Sequence, residues 1–182
     1  MRRFEPSLGA GSGYGAEMPA EPSTRTTFED ARRVAQISGW REKVLIYLTR
    51  GDDELLVLEH TDQFPHAGVQ VPAGGVDPGE DPATTAHREL FEETGLQLTD
   101  QAIYLASHVL TRAAPSRVRH YYWMTAPPAT PGSWSHVVSA GDEDAGMLFL
   151  LTFRPLHNPG LTPHYGWESA LGRLSTAMQT GQ

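Results

Sequence analysis

A mixed α/β (α+β) sandwich, with helices packed on a mixed β-sheet, is expected for this 182-residue chain. Three patterns point to it. The runs Val44–Thr49 and Leu55–Glu59 are strand-like and are separated by the turn-forming Arg50-Gly-Asp-Asp-Glu54. A sharply bounded helical stretch runs from about Asp81 to Thr94, and a second helical pattern closes the chain. Strands on both sides of a central helix, with more helix at the ends, suit a layered domain.

Residues 1–26 hold Gly9, Gly11, Gly13 and Gly15 with Pro6, Pro19 and Pro22 and little apolar content. Such a stretch cannot bury enough surface to offset its ordering entropy, and it reads as a flexible N-terminal tail before one domain at 27–182. Thr27 is an N-cap for a short helix carrying Phe28, Ala31, Val34 and Ala35 and ending by Gly39. The two strands of the hairpin follow. Val69-Gln-Val-Pro72 then leads into Gly74-Gly75 and the central helix. Further strands are expected at Ile103–Thr111, Arg119–Thr125 and Met147–Phe153, the last two separated by a long loop. Ala170, Leu171, Leu174 and Met178 predict a closing helix over about Trp167–Gln179.

Composition removes several function classes. Cysteine is absent, so disulfides, thiolate zinc sites and cysteine nucleophiles are excluded. No apolar run reaches the roughly 20 residues a membrane helix needs, and no signal core precedes the domain, so a soluble, cytoplasmic protein without membrane association is expected. With 22 acids against 14 Lys and Arg the net charge is −8, which disfavours general nucleic-acid binding. Acidic charge is what a hard-cation site requires.

That charge is concentrated in Gly74–Leu96, which carries six acids and one base, Arg88. Asp81 suits the N-cap, Pro82 the first helical position and Gly95 the left-handed residue beyond the C-terminus. At about 100° per residue, Ala83, Ala86, Leu90 and Thr94 form one stripe, whereas Glu89, Glu92 and Glu93 gather on another face. Like charges at these spacings, two of them in the last turn, oppose both each other and the helix dipole. A divalent cation removes the conflict, and Mg²⁺ or Mn²⁺ takes hard oxygen ligands from carboxylates, water and phosphate.

The same residues resemble the Nudix box, G-x5-E-x7-R-E-U-x-E-E-x-G-U with U aliphatic. Gly74, Glu80, Arg88, Glu89, Leu90, Glu92, Glu93, Gly95 and Leu96 meet every fixed position. A chance match in a chain this long is on the order of one in ten million, so the pattern is specific. The flanking strand order is similar to the Nudix α/β/α sandwich over about residues 40–180.

The resemblance implies that Glu92 and Glu93 ligate activating Mg²⁺ or Mn²⁺, that Glu89 is a further ligand or a base, and that the Gly74 carbonyl is an additional ligand. It makes Arg88 an orienting ion-pair partner, and Glu80 a structural residue that locks the loop to the helix or pairs with Arg88. The implied activity is water attack on a nucleotide-type diphosphate, a nucleoside diphosphate linked to a moiety X, giving two phosphorylated products. Sugar nucleotides, dinucleoside polyphosphates and nucleoside triphosphates all fit that description, and a non-nucleotide polyphosphate is a rival. The lack of cysteine sets the chain apart from NADH-type relatives with a zinc site and from the isopentenyl diphosphate isomerase branch. His66-Ala-Gly-Val-Gln-Val-Pro-Ala-Gly75 resembles the coenzyme A motif only loosely. The alternative from another class is a catalytically silent Nudix-fold nucleotide-binding or sensor module, against which the intact acids weigh.

Weaker signals stand beside plain readings. Asp142, Glu143 and Asp144 precede a strand, where Glu143 or Asp144 is a candidate ligand or base; a solvated turn has the same composition. Arg112, Arg117, Arg119, His108 and His120 are candidate phosphate contacts or simply exposed charges. Tyr121, Tyr122, Trp123 and Trp134 can stack on a base or fill the core. His60, His66 and His164 read as polar loop residues before ligands or bases. Specificity is expected in residues 60–70, 112–118 and 127–146. Homodimerisation is left open.

Overall fold

The computed structural model describes residues 23–61, 67–111, 116–140 and 144–181. In chain order these form β1 (Thr24–Thr26), α1 (Phe28–Ser38), β2 (Arg41–Arg50), β3 (Glu54–His60), β4 (Val69–Gln70), β5 (Ala73–Gly75) and α2 (Pro82–Thr94), then β6 (Ile103–Leu110), β7 (Arg117–Thr125), β8 (Ser133–Val137), β9 (Leu148–Pro155) and α3 (Leu171–Thr180).

The axis of the fold is β2. Every side chain from Val44 to Thr49 is buried because the strand is covered on both faces. Val44, Ile46 and Leu48 join the core that contains Ala86 and Leu90 of α2, whereas Leu45 and Tyr47 join the core that contains Leu174 of α3. Alternate residues of a strand point to opposite sides, so the run reads as continuously apolar. On the α2 side, Ala31 and Ala35 of α1 also pack on Val118 of β7. The result is the expected α/β/α sandwich: α1 and α2 on one face, α3 on the other. Burying Leu90 and Leu174 completely contributes about 2 kcal/mol each to docking their helices.

The sheet is mixed, in the order β1-β6-β7-β2-β3-β9-β8. β2 and β7 are parallel from Arg41 and Arg117 through Thr49 and Thr125, and the remaining pairings are antiparallel. The other edge of β2 is shared: β5 pairs with Lys43–Leu45, and β3 takes over at Thr49 and Arg50. This division delivers the chain leaving β5 to the start of β2, where α2 begins its return across the sheet.

The structure departs from the sequence expectations at three places. Thr24–Thr26, assigned to the tail, pairs with Ser107–Val109 along β6, because β-branched Thr24 and Thr26 suit an edge strand. The loop expected between β7 and β9 contains β8, a five-residue edge strand paired to Leu148–Thr152, whose polar alternation hid it. The last helix starts at Leu171, after turns over 167–170. No helix among the described residues is long and apolar enough to cross a membrane.

Candidate active site

The phase of α2 is set at both ends. Asp81 takes the N-cap position in extended backbone (φ −81°, ψ 128°), although its side chain makes no capping hydrogen bond; Pro82 opens the helix, and Gly95 is left-handed (φ 75°) with its N–H donating to the Phe91 carbonyl. With Ala86 and Leu90 directed into the core, Glu89 and Glu93 turn toward β5 rather than into solvent. They are only 8% and 6% exposed, and Glu92 is half-buried. The sequence placed these acids on a face away from the apolar stripe. The structure covers much of that face with Ala73, Gly74 and Gly75.

Gly74 is what permits the close approach. A Cβ there would overlap the Glu89 carboxylate, so the position has room for a hydrogen only. The Glu93 carboxylate accepts a hydrogen bond from the Ala73 N–H at 2.9 Å. Burial pushes the Glu93 carboxyl well above its ordinary range; the Ala73 N–H opposes the rise, and neighbouring Glu89 and Asp144 add to it. Burial also raises Glu89, against the pull of Arg88. Desolvated carboxylates side by side favour being uncharged unless a cation joins them.

Arg88 organises the outer rim. Its Nε and Nη2 donate to the two Glu80 oxygens at 3.1 and 2.8 Å, a fork-to-fork pair, and Nη2 also donates to the Gly75 carbonyl at 2.9 Å. Nη1 reaches Glu89 Oε1 at 2.7 Å and Glu92 Oε2 at 3.4 Å. The hydrogen bonds from Arg88 hold the Glu80 carboxyl down to about 2. Glu80 in turn accepts from the Asp77 N–H at 3.2 Å, which closes the turn before the helix. Of the two structural roles expected for Glu80, the geometry shows both.

Gly74, Gly75, Arg88, Glu89, Glu92 and Glu93, but not Glu80, line one cleft of about 300 Å³. Asp144, Val138 and Ala140 also line it, as do Arg41 and Lys43 from the first residues of β2. Glu143 and Asp142 lie outside the described residues, as do His66 and Arg112. Among the described residues no three acid or histidine side chains converge as a ready cation cage, since Glu89 and Glu92 are turned to Arg88. The donor set still fits Mg²⁺ or Mn²⁺: hard carboxylate oxygens, two of them desolvated, and no sulfur.

The other sequence candidates lie elsewhere. Arg119 donates to the Tyr165 carbonyl and faces the Trp167 ring. His108 meets Ser23 Oγ at 3.1 Å, and His120 is buried between Ser107 and Glu42. Arg117 starts β7 on the side of the sheet nearest Leu110. Tyr121 and Tyr122 belong to the two cores. Trp123 and Trp134 are anchored through their indole N–H groups to Thr49 and to the Thr94 carbonyl. His60 packs on Phe149 and His164 adopts φ 74° in the loop before α3. Sequence reasoning passed over Arg41 and Lys43, which no local pattern marks; the long-range pairing of Lys43 opposite Gly75 is what brings them to the cleft.

Comparison with known proteins identifies the family and the fold. The family model for the NUDIX domain matches residues 39–164. An RNA pyrophosphohydrolase of Rhodopseudomonas palustris (strain BisB18) is 36% identical over 86 residues, 47% of this chain and 47% of that protein. The chain thus aligns with about half the length of that curated relative. Among solved structures, an ADP compounds hydrolase superposes with a TM-score of 0.55 at 20% identity, covering 78% of this chain and 74% of that one. A MutT protein from Methanosarcina mazei Go1 gives 0.51 at 14% identity, over 75% and 94%. At those identities the two structures show a shared fold. Since the family model spans more than two thirds of the sequence and its box residues build the acidic cleft, the chain belongs to the Nudix family.

Proposed function

We propose that this Nudix protein hydrolyses a diphosphate linkage in a nucleotide-type substrate, a nucleoside diphosphate linked to a moiety X, with Mg²⁺ or Mn²⁺ held at Glu92, Glu93 and, as ligand or base, Glu89. The observation that carries the reading is the meeting of five acids, Asp77, Glu89, Glu92, Glu93 and Asp144, with the cations Arg41, Lys43 and Arg88 in one cleft. Acids without the cations suit a cation site alone; the pair of charges suits a phosphate brought to a cation.

When bound, the metal ion supplies neutralisation of phosphate charge and activation of water. The chain's own residues do the rest. Lys43 and Arg41 face the phosphate oxygens from β2. Arg88, fixed by Glu80, holds one oxygen each of Glu89 and Glu92 at the rim of the cleft. A carboxylate of the cluster takes the proton of the attacking water, whose oxygen bonds to phosphorus as the bond to the bridging oxygen breaks. Two phosphorylated products leave.

A substrate panel tests this reading: ADP-ribose, other sugar nucleotides, dinucleoside polyphosphates, coenzyme A and nucleoside triphosphates, with Mg²⁺ or Mn²⁺ and chromatographic identification of products. The kinship to an RNA pyrophosphohydrolase adds a 5′-triphosphorylated oligoribonucleotide. Cleavage of one class between two phosphorus atoms supports the proposal. No cleavage of any, together with a nucleotide-induced rise in melting temperature, supports the silent binding module instead.

A further inference from the structure

The turn that carries Glu80 is held at both ends by one residue of β2. The Val76 N–H donates to the Glu42 carbonyl at 3.0 Å. At the other end, Arg32 of α1 binds the Glu42 carboxylate through Nε at 3.1 Å and turns both terminal nitrogens to the Glu80 carbonyl, each at 3.4 Å. Glu42 is thereby linked to the entry and the exit of the segment from Val76 to Glu80, through its backbone at one end and its side chain at the other.

Glu42 is itself immobilised from the sheet. His120, fully buried, places Nε2 at 2.9 Å from Glu42 Oε2 and Nδ1 at 2.7 Å from Ser107 Oγ. The Tyr104 hydroxyl donates to Ser107 Oγ at 3.0 Å. With the proton on Nε2 and Nδ1 accepting, the donors run in one direction, Tyr104 to Ser107, Ser107 to Nδ1 and Nε2 to Glu42, and that tautomer satisfies every group in the row. Phe28 of α1 closes over it, 5.2 Å from the His120 ring and 6.0 Å from the Arg32 guanidinium. A Ser-His-Glu row of this kind resembles a nucleophilic triad, but Ser107 is fully buried within the pairing of β1 with β6, where no substrate reaches it.

We propose that Arg32 is a positioning residue for the acidic cleft: it transmits the rigid Glu42–His120–Ser107 row to the Glu80 carbonyl, and so holds the Glu80–Arg88 clamp that directs Glu89 and Glu92. Arg32 and Phe28 precede residue 39, where the family match begins, so the device joins α1 to a cleft whose own parts all lie within the matched domain. The inference rests on the reading of that cleft as the reaction site. Its simplest rival is that Arg32 only staples α1 to the sheet, which would affect melting and nothing at Arg88.

Two readouts separate these. Arg32→Met keeps the apolar stem and removes the guanidinium; Glu42→Gln keeps shape and removes the charge; Arg33→Met, on the same helix but paired with Asp30, is the control. In chelator, exchange of the Arg88 Nε–H with solvent is followed by nitrogen-resolved NMR, and Mn²⁺ affinity is measured separately by calorimetry. We expect exchange to quicken about tenfold or more in Arg32→Met and Glu42→Gln, with Mn²⁺ binding weakened about tenfold and Arg33→Met unchanged. Wild-type exchange at Arg88 in both folded variants overturns the inference. If exchange quickens but Glu93→Gln binds Mn²⁺ like wild type, the positioning role stands and the reading of the cleft as a metal site is what fails. Should Arg32→Met not fold, Glu42→Gln alone decides.

Discussion

The Glu89 carboxylate occupies the space that a side chain at Gly74 would fill. The glycine of the box therefore serves the acid fifteen residues later, by leaving room rather than by turning the chain. Gly74→Ala should drive Glu89 off its place while the backbone holds, because the displaced group is the end of a flexible side chain. Turnover should fall at least about tenfold with stability changed by less than about 1 kcal/mol. Steady-state rates and thermal melts of the variant check both halves.

Glu93 is a buried acid whose neutral form the fold prefers. A carboxyl raised in the folded state weakens the fold as pH climbs above the unfolded value of 4.5 and toward the folded one. In chelator, Glu93→Gln should therefore melt higher than wild type near pH 8, with the gap closing as pH approaches 4.5. Added Mn²⁺ should raise the melting temperature of wild type and not of the variant.

Glu80 behaves in the opposite sense. Arg88 holds its carboxyl near 2, below the unfolded 4.5, so the stability it contributes is complete above about pH 4.5 and is lost as pH falls through about 2. Glu80→Gln should cost about 1–3 kcal/mol at neutral pH and flatten the acid limb of a urea-midpoint profile.

Among the described residues, β1 is the first strand of the sheet and pairs only along β6. Deletion of residues 1–22 should leave melting and activity nearly unchanged. Deletion of 1–26 should lower the melting temperature by several degrees, because it exposes the β6 edge from Ser107 to Val109. Differential scanning calorimetry of the two truncations distinguishes them.

Much of this architecture is written locally. The limits of α2 follow from Pro82 and Gly95, the clustering of Glu89, Glu92 and Glu93 from helical spacing, and the β2–β3 hairpin from Arg50–Glu54. What the sequence conceals is long-range. That Glu89 and Glu93 are buried depends on β5 crossing above them, a pairing of three residues with Lys43–Leu45 that no local pattern announces. Lys43 enters the cleft only because β2 is parallel to β7 and flanked by β5 on its other edge. His120 and Arg119 read as a basic stretch along the chain, yet alternation sends them to opposite faces, one to Glu42 and the other to the Tyr165 carbonyl. The strand β8 was missed because an exposed edge strand needs no apolar run.

The most direct test of the central claim is the rate of diphosphate hydrolysis by wild type and by Glu93→Gln on the substrate the panel identifies, at saturating Mg²⁺ and with folding verified. The account predicts a fall of about a hundredfold or more in kcat, since the buried carboxylate proposed to hold the metal is replaced by a neutral amide that keeps its shape and its bond to the Ala73 N–H. Equal rates in the two proteins would contradict it, by placing the reaction outside the cleft built by α2 and β5.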